Sequence, residues 1–468
     1  MTKTACAFGG RRPVRVYMDG CFDLMHYGHA NALRQARVLG DELVVGLIPD
    51  SEIERCKGPP ILNEKERLEL VRAVKWVDDV IVGVPYDLTP DFLSELFHRH
   101  RIDYVIHGDD PCLLPDGTDA YAHAKRLGRF RAIKRTEGVS TTDIVGRMLI
   151  CSRAAARGGA ECESLDLARH FSLGGRTRSF SVADEGGAAG RLGQLAEGEE
   201  EDALDALLHE EAREAASPAS LPPRPEIATS PLPPVSRPSE DGLGEEASSP
   251  SSSTVSSPRL VSVSRFMPTS HRIVQFSSGR VARPGSCIVY LDGAFDLFHV
   301  GHVAALRAAR AAGDFLLVGL HDDEDVAARR GPHQPIMSVH ERALSVLACK
   351  YADEVIIGAP RVITADLLTT FNISKVVRGT VHETGQVQAA GADRGSLSSV
   401  LDDDEAERYA EAQARGVFER LRSSSRMTSA AVIARIVANR AQFEARNAKK
   451  MKSEAEYYAG AKTFVSEL

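Results

Sequence analysis

Three things are in short supply in this sequence, and each shortage narrows its class. Positive charge is in deficit: 57 Lys and Arg stand against 65 Asp and Glu, a formal net charge of −8 at pH 7. That balance argues against a general nucleic-acid binder, whose phosphate contacts call for clustered cations. Cysteine is sparse and scattered, with eight residues, no C-x-x-C pair and no metal-ligand spacing. We read them as reduced thiols, with no zinc site. No uninterrupted apolar run nears the roughly 18 to 20 residues of a membrane span, and the start, MTKTACAFGGRRPVRVYMDG, has no apolar h-region. These absences point to a cytoplasmic chain without nucleic acid and with at most peripheral membrane contact; a homo-oligomer is left open.

What is present is a long repeat. The stretch DGCFDLMHYGHANALRQAR from Asp19 returns as DGAFDLFHVGHVAALRAAR from Asp292, identical at 13 of 19 positions. ILNEKERLELVRAVKWVDDVIVGVP from Ile61 is echoed by IMSVHERALSVLACKYADEVIIGAP from Ile336. At 468 residues the chain exceeds one core. A period this long means two related domains rather than a solenoid of short units.

Each copy alternates apolar β-prone runs with helical ones: VRVYMDG, then HANALRQARVLG, then DELVVGLIPD. The second run lacks polar alternation, as expected of a parallel sheet covered on both faces. The pattern predicts two tandem doubly wound Rossmann-like α/β domains over 13–151 and 264–455. Residues 152–262, rich in Pro, Ser and Glu, predict a long, mostly disordered linker, and 385–410 an inserted surface loop ending in a helix.

Chemistry concentrates at a few places. His26 and His29 sit three apart, after a strand and at the opening of a helix, where unpaired N–H groups favour a phosphate. A lone histidine there would be read as a cap, but two with Gly28 between them favour binding. In KRTEGVSTTDIVGRML, Arg135 and Gly138 precede Ser140, Thr141 and Thr142 at the start of another helix. Capping explains those hydroxyls taken alone; beside Arg135 they make a second phosphate cradle plausible.

HYGH, KWVDDVI and RTEGVSTT occur in this order, and together they resemble the cytidylyltransferase family; Lys75 and Trp76 depart from the Arg and Tyr of its R-Y-V-D-E-V-I block. The resemblance spans about 13–150 and 264–450, and the doubled lobe is similar to members that act on phosphoethanolamine. It implies nucleotidyl transfer: CTP and phosphoethanolamine give a CDP-alcohol and pyrophosphate. Phosphocholine or another alcohol phosphate is the alternative substrate; a nucleotide-sensing scaffold and an adenylyltransferase are the competing functions. His26 and His29 would donate to the triphosphate, and Lys57 would neutralise phosphates of both substrates. Gly20, Cys21, Phe22, Asp23, Asp109, Arg135, Gly138, Ser140, Thr141 and Thr142 would form the nucleotide site, Asp23 orienting the turn. Mg²⁺ is implied by the triphosphate chemistry and not by any ligand cluster.

The second lobe keeps His299 and His302, with Ala294, Phe295 and Arg330 as a residual nucleotide site, but Arg330 replaces Lys57. Aligning Phe130 with Phe418 sets Ser423 against Arg135, Arg426 against Gly138 and Ala430 against Thr142. Weak binding at most is expected there.

Overall fold

In the computed structural model the first lobe is built on a five-stranded, all-parallel sheet of β1 (Arg15–Gly20), β2 (Glu42–Leu47), β3 (Asp79–Val82), β4 (Tyr104–Gly108) and β5 (Phe130–Ile133) in the order β3-β2-β1-β4-β5. The described residues are 12–156, without 111, 113, 115 and 116, then 268–381 without 332, and 405–459. Most of the expected linker and residues 385–404 of the expected insertion lie outside them. The second sheet, of β6 (Ile288–Gly293), β7 (Phe315–Leu320), β8 (Glu354–Ile357), β9 (Ile373–Gly379) and β10 (Phe418–Leu421), repeats the arrangement as β10-β9-β6-β7-β8. Val16, Tyr17, Leu43, Val44 and Val45 are wholly buried, because helices cover both faces of the sheet and leave no solvated side for alternation. The strand order reverses between β1 and β4, so the carboxyl ends at Gly20 and Gly108 diverge and open a crevice.

Between β1 and α1 (Tyr27–Val38) the chain makes a turn that needs outside support. Phe22 and Leu24 adopt φ of 49° and 47°, and Phe295 and Leu297 repeat this at 53° and 51°. Such left-handed conformations cost non-glycine residues energy, so surrounding bonds must fix them. Asp23 supplies these bonds, its carboxylate accepting the N–H groups of Ile61 (2.8 Å) and Leu62 (2.9 Å). Buried Arg67 donates to the Cys21 carbonyl at 2.7 Å, on the other side of the turn. Asp296 and Arg342 make the same bonds in the second lobe.

The lobes form one compact unit, share one apolar core and meet through reciprocal contacts. Lys75 N–H donates to the Ala348 carbonyl at 3.0 Å, and Lys350 N–H donates to that of Ala73 at 2.8 Å. Helix α3 (Glu64–Ala73) begins with a capping box of Asn63 and Glu66, and helix Val339–Ala348 begins with one of Ser338 and Glu341. Each glutamate also takes a two-point ion pair from the opposite lobe, Arg435 on Glu66 (2.7 and 2.9 Å) and Arg147 on Glu341 (both 2.8 Å). The KWVDDVI block therefore opens at the seam between lobes: Trp76 packs edge-on against Phe276 of the second lobe, ring centroids 5.0 Å apart.

Candidate active site

A cleft of about 890 Å³ opens at the carboxyl ends of β1 and β4 in the first lobe. Gly20, Cys21, Phe22, Asp23, His26, His29, Lys57, Arg135, Ser140, Thr141 and Thr142 all line it, so the structure gathers segments more than a hundred residues apart. Asp109 and Gly138 are not in its wall. Asp109 accepts the Arg135 N–H at 2.9 Å and shapes that turn from behind, while Asp110 faces the cleft; Gly138, at φ 80°, supplies the left-handed turn before Ser140.

The histidines are stacked, with ring centroids 3.9 Å apart. His26 caps α1, its Nδ1 accepting the Gly28 N–H at 3.1 Å. That bond leaves the proton on Nε2, which makes His26 a donor toward the cleft. A Cβ on Gly28 would lie 2.8 Å from Val139 and 2.9 Å from the His26 ring, so only glycine allows this packing. His29 Nδ1 is buried with no hydrogen-bond partner among the described residues. Burial, with nearby Lys57 and Arg135, lowers the His29 pKa to about 4. Burial, followed by the neighbouring His29, drives His26 lower than usual as well, so both are neutral donors at pH 7.

Lys57 ends α2 (Asp50–Lys57) before Gly58, whose φ is 89°. Its ammonium lies 3.6 Å from Cys21 Sγ and 5.2 Å from the centre of the Tyr86 ring, at the exposed mouth of the cleft. Opposite it, Ser140 Oγ accepts the Asp143 N–H at 3.0 Å and caps α6 (Thr141–Ala156), the helix after α4 (Pro90–His98) and α5 (Ala122–Arg126). Thr141 Oγ1 donates to the Asp23 carbonyl at 3.3 Å and ties the two loops together. Capping and cleft lining are thus the same arrangement, not alternatives.

Several residues in this arrangement were not singled out by sequence reading. Asp19 lines the cleft at 6% exposure and accepts a bond from Tyr121 Oη at 3.0 Å; burial raises its pKa. His107 lies against Tyr121, ring centroids 4.4 Å apart. Asn31 Nδ2 donates to Thr136 Oγ1 (3.0 Å) and Gln35 Nε2 to the Lys134 carbonyl (2.9 Å), anchoring the loop that carries Arg135. The repeat itself held that signal, because Ala304 and Ala308 replace these two where the loop has lost its arginine.

The second lobe keeps the frame but fills the site. His299 and His302 stack at 3.8 Å, and His302 Nδ1 accepts the His299 N–H at 3.3 Å, a bond not formed by His29. A Cβ on Gly301 would lie 2.4 Å from the Met427 carbonyl oxygen, where the first lobe sets the Val139 side chain against Gly28, so backbone replaces side chain against the turn. Asp292, the counterpart of Asp19, accepts Tyr409 Oη at 2.6 Å and also Arg408 at 2.7 Å and His321 at 3.0 Å. Burial alone would raise the Asp292 pKa; His321 and Arg408 outweigh it and hold the pKa well below the usual carboxylate range.

A family model described as cytidylyltransferase-like matches residues 17–147 and 290–389, once in each lobe. The ethanolamine-phosphate cytidylyltransferase of Arabidopsis thaliana is 47% identical over 456 residues, 97% of this chain and 87% of its own. The chain belongs to the cytidylyltransferase-like family. A cytidylyltransferase of the same name from Dictyostelium discoideum is 40% identical over 447 residues, covering 96% of this chain and 97% of its own. Choline-phosphate cytidylyltransferase A of Homo sapiens is 46% identical, but over 140 residues, 30% of this chain and 37% of its own. Among the described residues no helix is long and apolar enough to cross a membrane.

Proposed function

We propose that the first lobe transfers the cytidylyl group of CTP to phosphoethanolamine in the cytoplasm, giving CDP-ethanolamine and pyrophosphate. Asp19 carries this reading. A carboxylate buried in the cleft wall is costly unless cations offset it; Lys57 acts on it only weakly, and the ammonium of phosphoethanolamine would add a cation that also carries N–H donors. A trimethylammonium has no N–H to give. The end-to-end similarity to chains named for ethanolamine phosphate, set against a match over one lobe's length to the choline-phosphate relative, supports the same choice.

With the ammonium on Asp19, the acceptor phosphate lies toward His26, His29 and Lys57. An oxygen of that phosphate attacks the α-phosphorus of CTP, the new P–O bond forms as the bond to the β-phosphate oxygen breaks, and pyrophosphate leaves. No base is needed, because the attacking phosphate is already anionic. His26 Nε2–H and His29 donate to phosphoryl oxygens as charge builds, and Lys57, Arg135 and the start of α6 hold the β- and γ-phosphates. Magnesium fits as an ion brought by the nucleotide: Asp23 is taken up by backbone N–H groups and Asp19 by Tyr121, which leaves Asp110 as the remaining carboxylate of the cleft wall.

Product analysis tests the nucleotide half of the reading. Purified protein given phosphoethanolamine with either CTP or ATP is expected to form CDP-ethanolamine from CTP alone. Formation of the ADP-alcohol at a comparable rate would replace this reading with an adenylyltransferase.

A further inference from the structure

The last described helix, Arg440–Ala459, belongs to the second lobe in the chain but docks on the first. Phe443 is 1% exposed in the shared core, and Asn447 Nδ2 donates to the Thr142 carbonyl at 3.1 Å. Arg446 Nη1 donates to the Pro59 carbonyl at 3.2 Å. Thr142 belongs to the opening turn of α6 and Pro59 lies two residues beyond Lys57, so one helix spans the two segments that flank the mouth of the cleft.

That docking places Arg446, Lys449 and Lys450 in the cleft wall with His29, Lys57 and Arg135. Spaced three and four apart, they share one helix face. Among the described residues, neither Arg446 nor Lys449 makes a salt bridge; the Arg446 charge is felt at Asp23, whose oxygens are taken up by backbone N–H groups. A bare cationic helix face would be ordinary solvated surface; this one forms part of the cleft that holds the reaction's proposed phosphate ligands.

We propose that Arg446 and Lys449 bind the β- and γ-phosphates of CTP and the departing pyrophosphate, so that the second lobe completes the active site of the first. This rests on the reading that the cleft takes CTP. A triphosphate carries more negative charge than Lys57 and Arg135 balance, and the two added cations lie beside the helix start where its distal end would rest. The arrangement also gives the second lobe work that does not depend on a site of its own.

The test uses the full chain, with Lys449→Ala and Arg446→Ala compared with wild type for KM of each substrate and for binding of inorganic pyrophosphate by calorimetry. Lys449→Ala is expected to raise the CTP KM and the pyrophosphate Kd about threefold, and Arg446→Ala about tenfold, with the phosphoethanolamine KM within about twofold. Unchanged CTP KM and pyrophosphate Kd in Lys449→Ala and Arg446→Ala would overturn the proposal. So would a matched loss for both substrates accompanied by a lowered melting temperature, which would mean that the residues only dock the helix. Should Arg446→Ala fail to fold, Lys449→Ala decides, since it breaks no bond to the protein. Should wild type make no product from CTP, the parent reading fails by itself, and pyrophosphate affinity still decides this one.

Discussion

Arg408 Nη2 lies 2.7 Å from Oδ2 of Asp292, inside the position that in the first lobe is Asp19 facing an open cleft. The second lobe has thereby supplied its buried carboxylate with a cation of its own. Two replacements accomplish this: Arg408 stands where the first lobe has Ala120, and His321 where it has Ile48.

With Asp292 already paired to Arg408 and His321, and Ser423 in the place of Arg135, the second lobe is expected neither to turn over substrate nor to bind CTP tightly. His302→Ala is predicted to keep kcat/KM within about twofold of wild type. Calorimetry with CTP is predicted to give one site per chain. Two sites, or loss of turnover while the lobes stay associated, would count against this.

His29→Ala is predicted to lower kcat by about 10² with the fold intact, the usual cost of losing one transition-state donor. A folded variant with near-normal turnover would reduce His29 to a packing residue. Its pKa near 4 adds a stability signature. As pH falls from about 6.5 toward 4, the unfolded chain takes up a proton that folded His29 refuses, so stability declines across that window. Urea midpoints at pH 7 and pH 5 are predicted to lie closer together in His29→Ala than in wild type.

The fold and the phosphate-binding turns were legible because their signals are local: strand runs, His26 and His29 three apart, hydroxyls before an apolar helix. Asp19 was not, since an Asp-Gly at a strand end reads as an ordinary turn and its partner Tyr121 lies 102 residues away. Glu66 and Glu341 close capping boxes in the structure, a local pairing; their second use, receiving Arg435 and Arg147 across the seam, has no local mark in the sequence. Arg446 and Lys449 carry no local mark in the sequence, because only the long-range docking of Phe443 and Asn447 turns that helix face toward a cleft.

Asp19→Asn is predicted to raise the phosphoethanolamine KM about tenfold or more while leaving the CTP KM within about twofold. Steady-state kinetics with each substrate varied in turn measure the split. Equal effects on both substrates would show that Asp19 supports the cleft as a whole and does not hold the ammonium.

Glu341→Gln removes the charge that Arg147 spans across the seam and leaves its partly buried guanidinium with Asp143, on its own helix, as its remaining carboxylate. It is predicted to destabilise the unfolding transition by about 1–3 kcal/mol. Chemical denaturation measures this. An unchanged midpoint would assign the cohesion of the lobes to the shared apolar core alone.

Competition for the acceptor tests the central assignment most directly. Equal concentrations of phosphoethanolamine and phosphocholine are offered together with limiting CTP, and the two CDP-alcohols are separated and counted. CDP-ethanolamine is predicted to exceed CDP-choline by about tenfold or more, because the primary ammonium can donate to Asp19 and the trimethylammonium cannot. Equal amounts, or an excess of CDP-choline, would contradict the assignment.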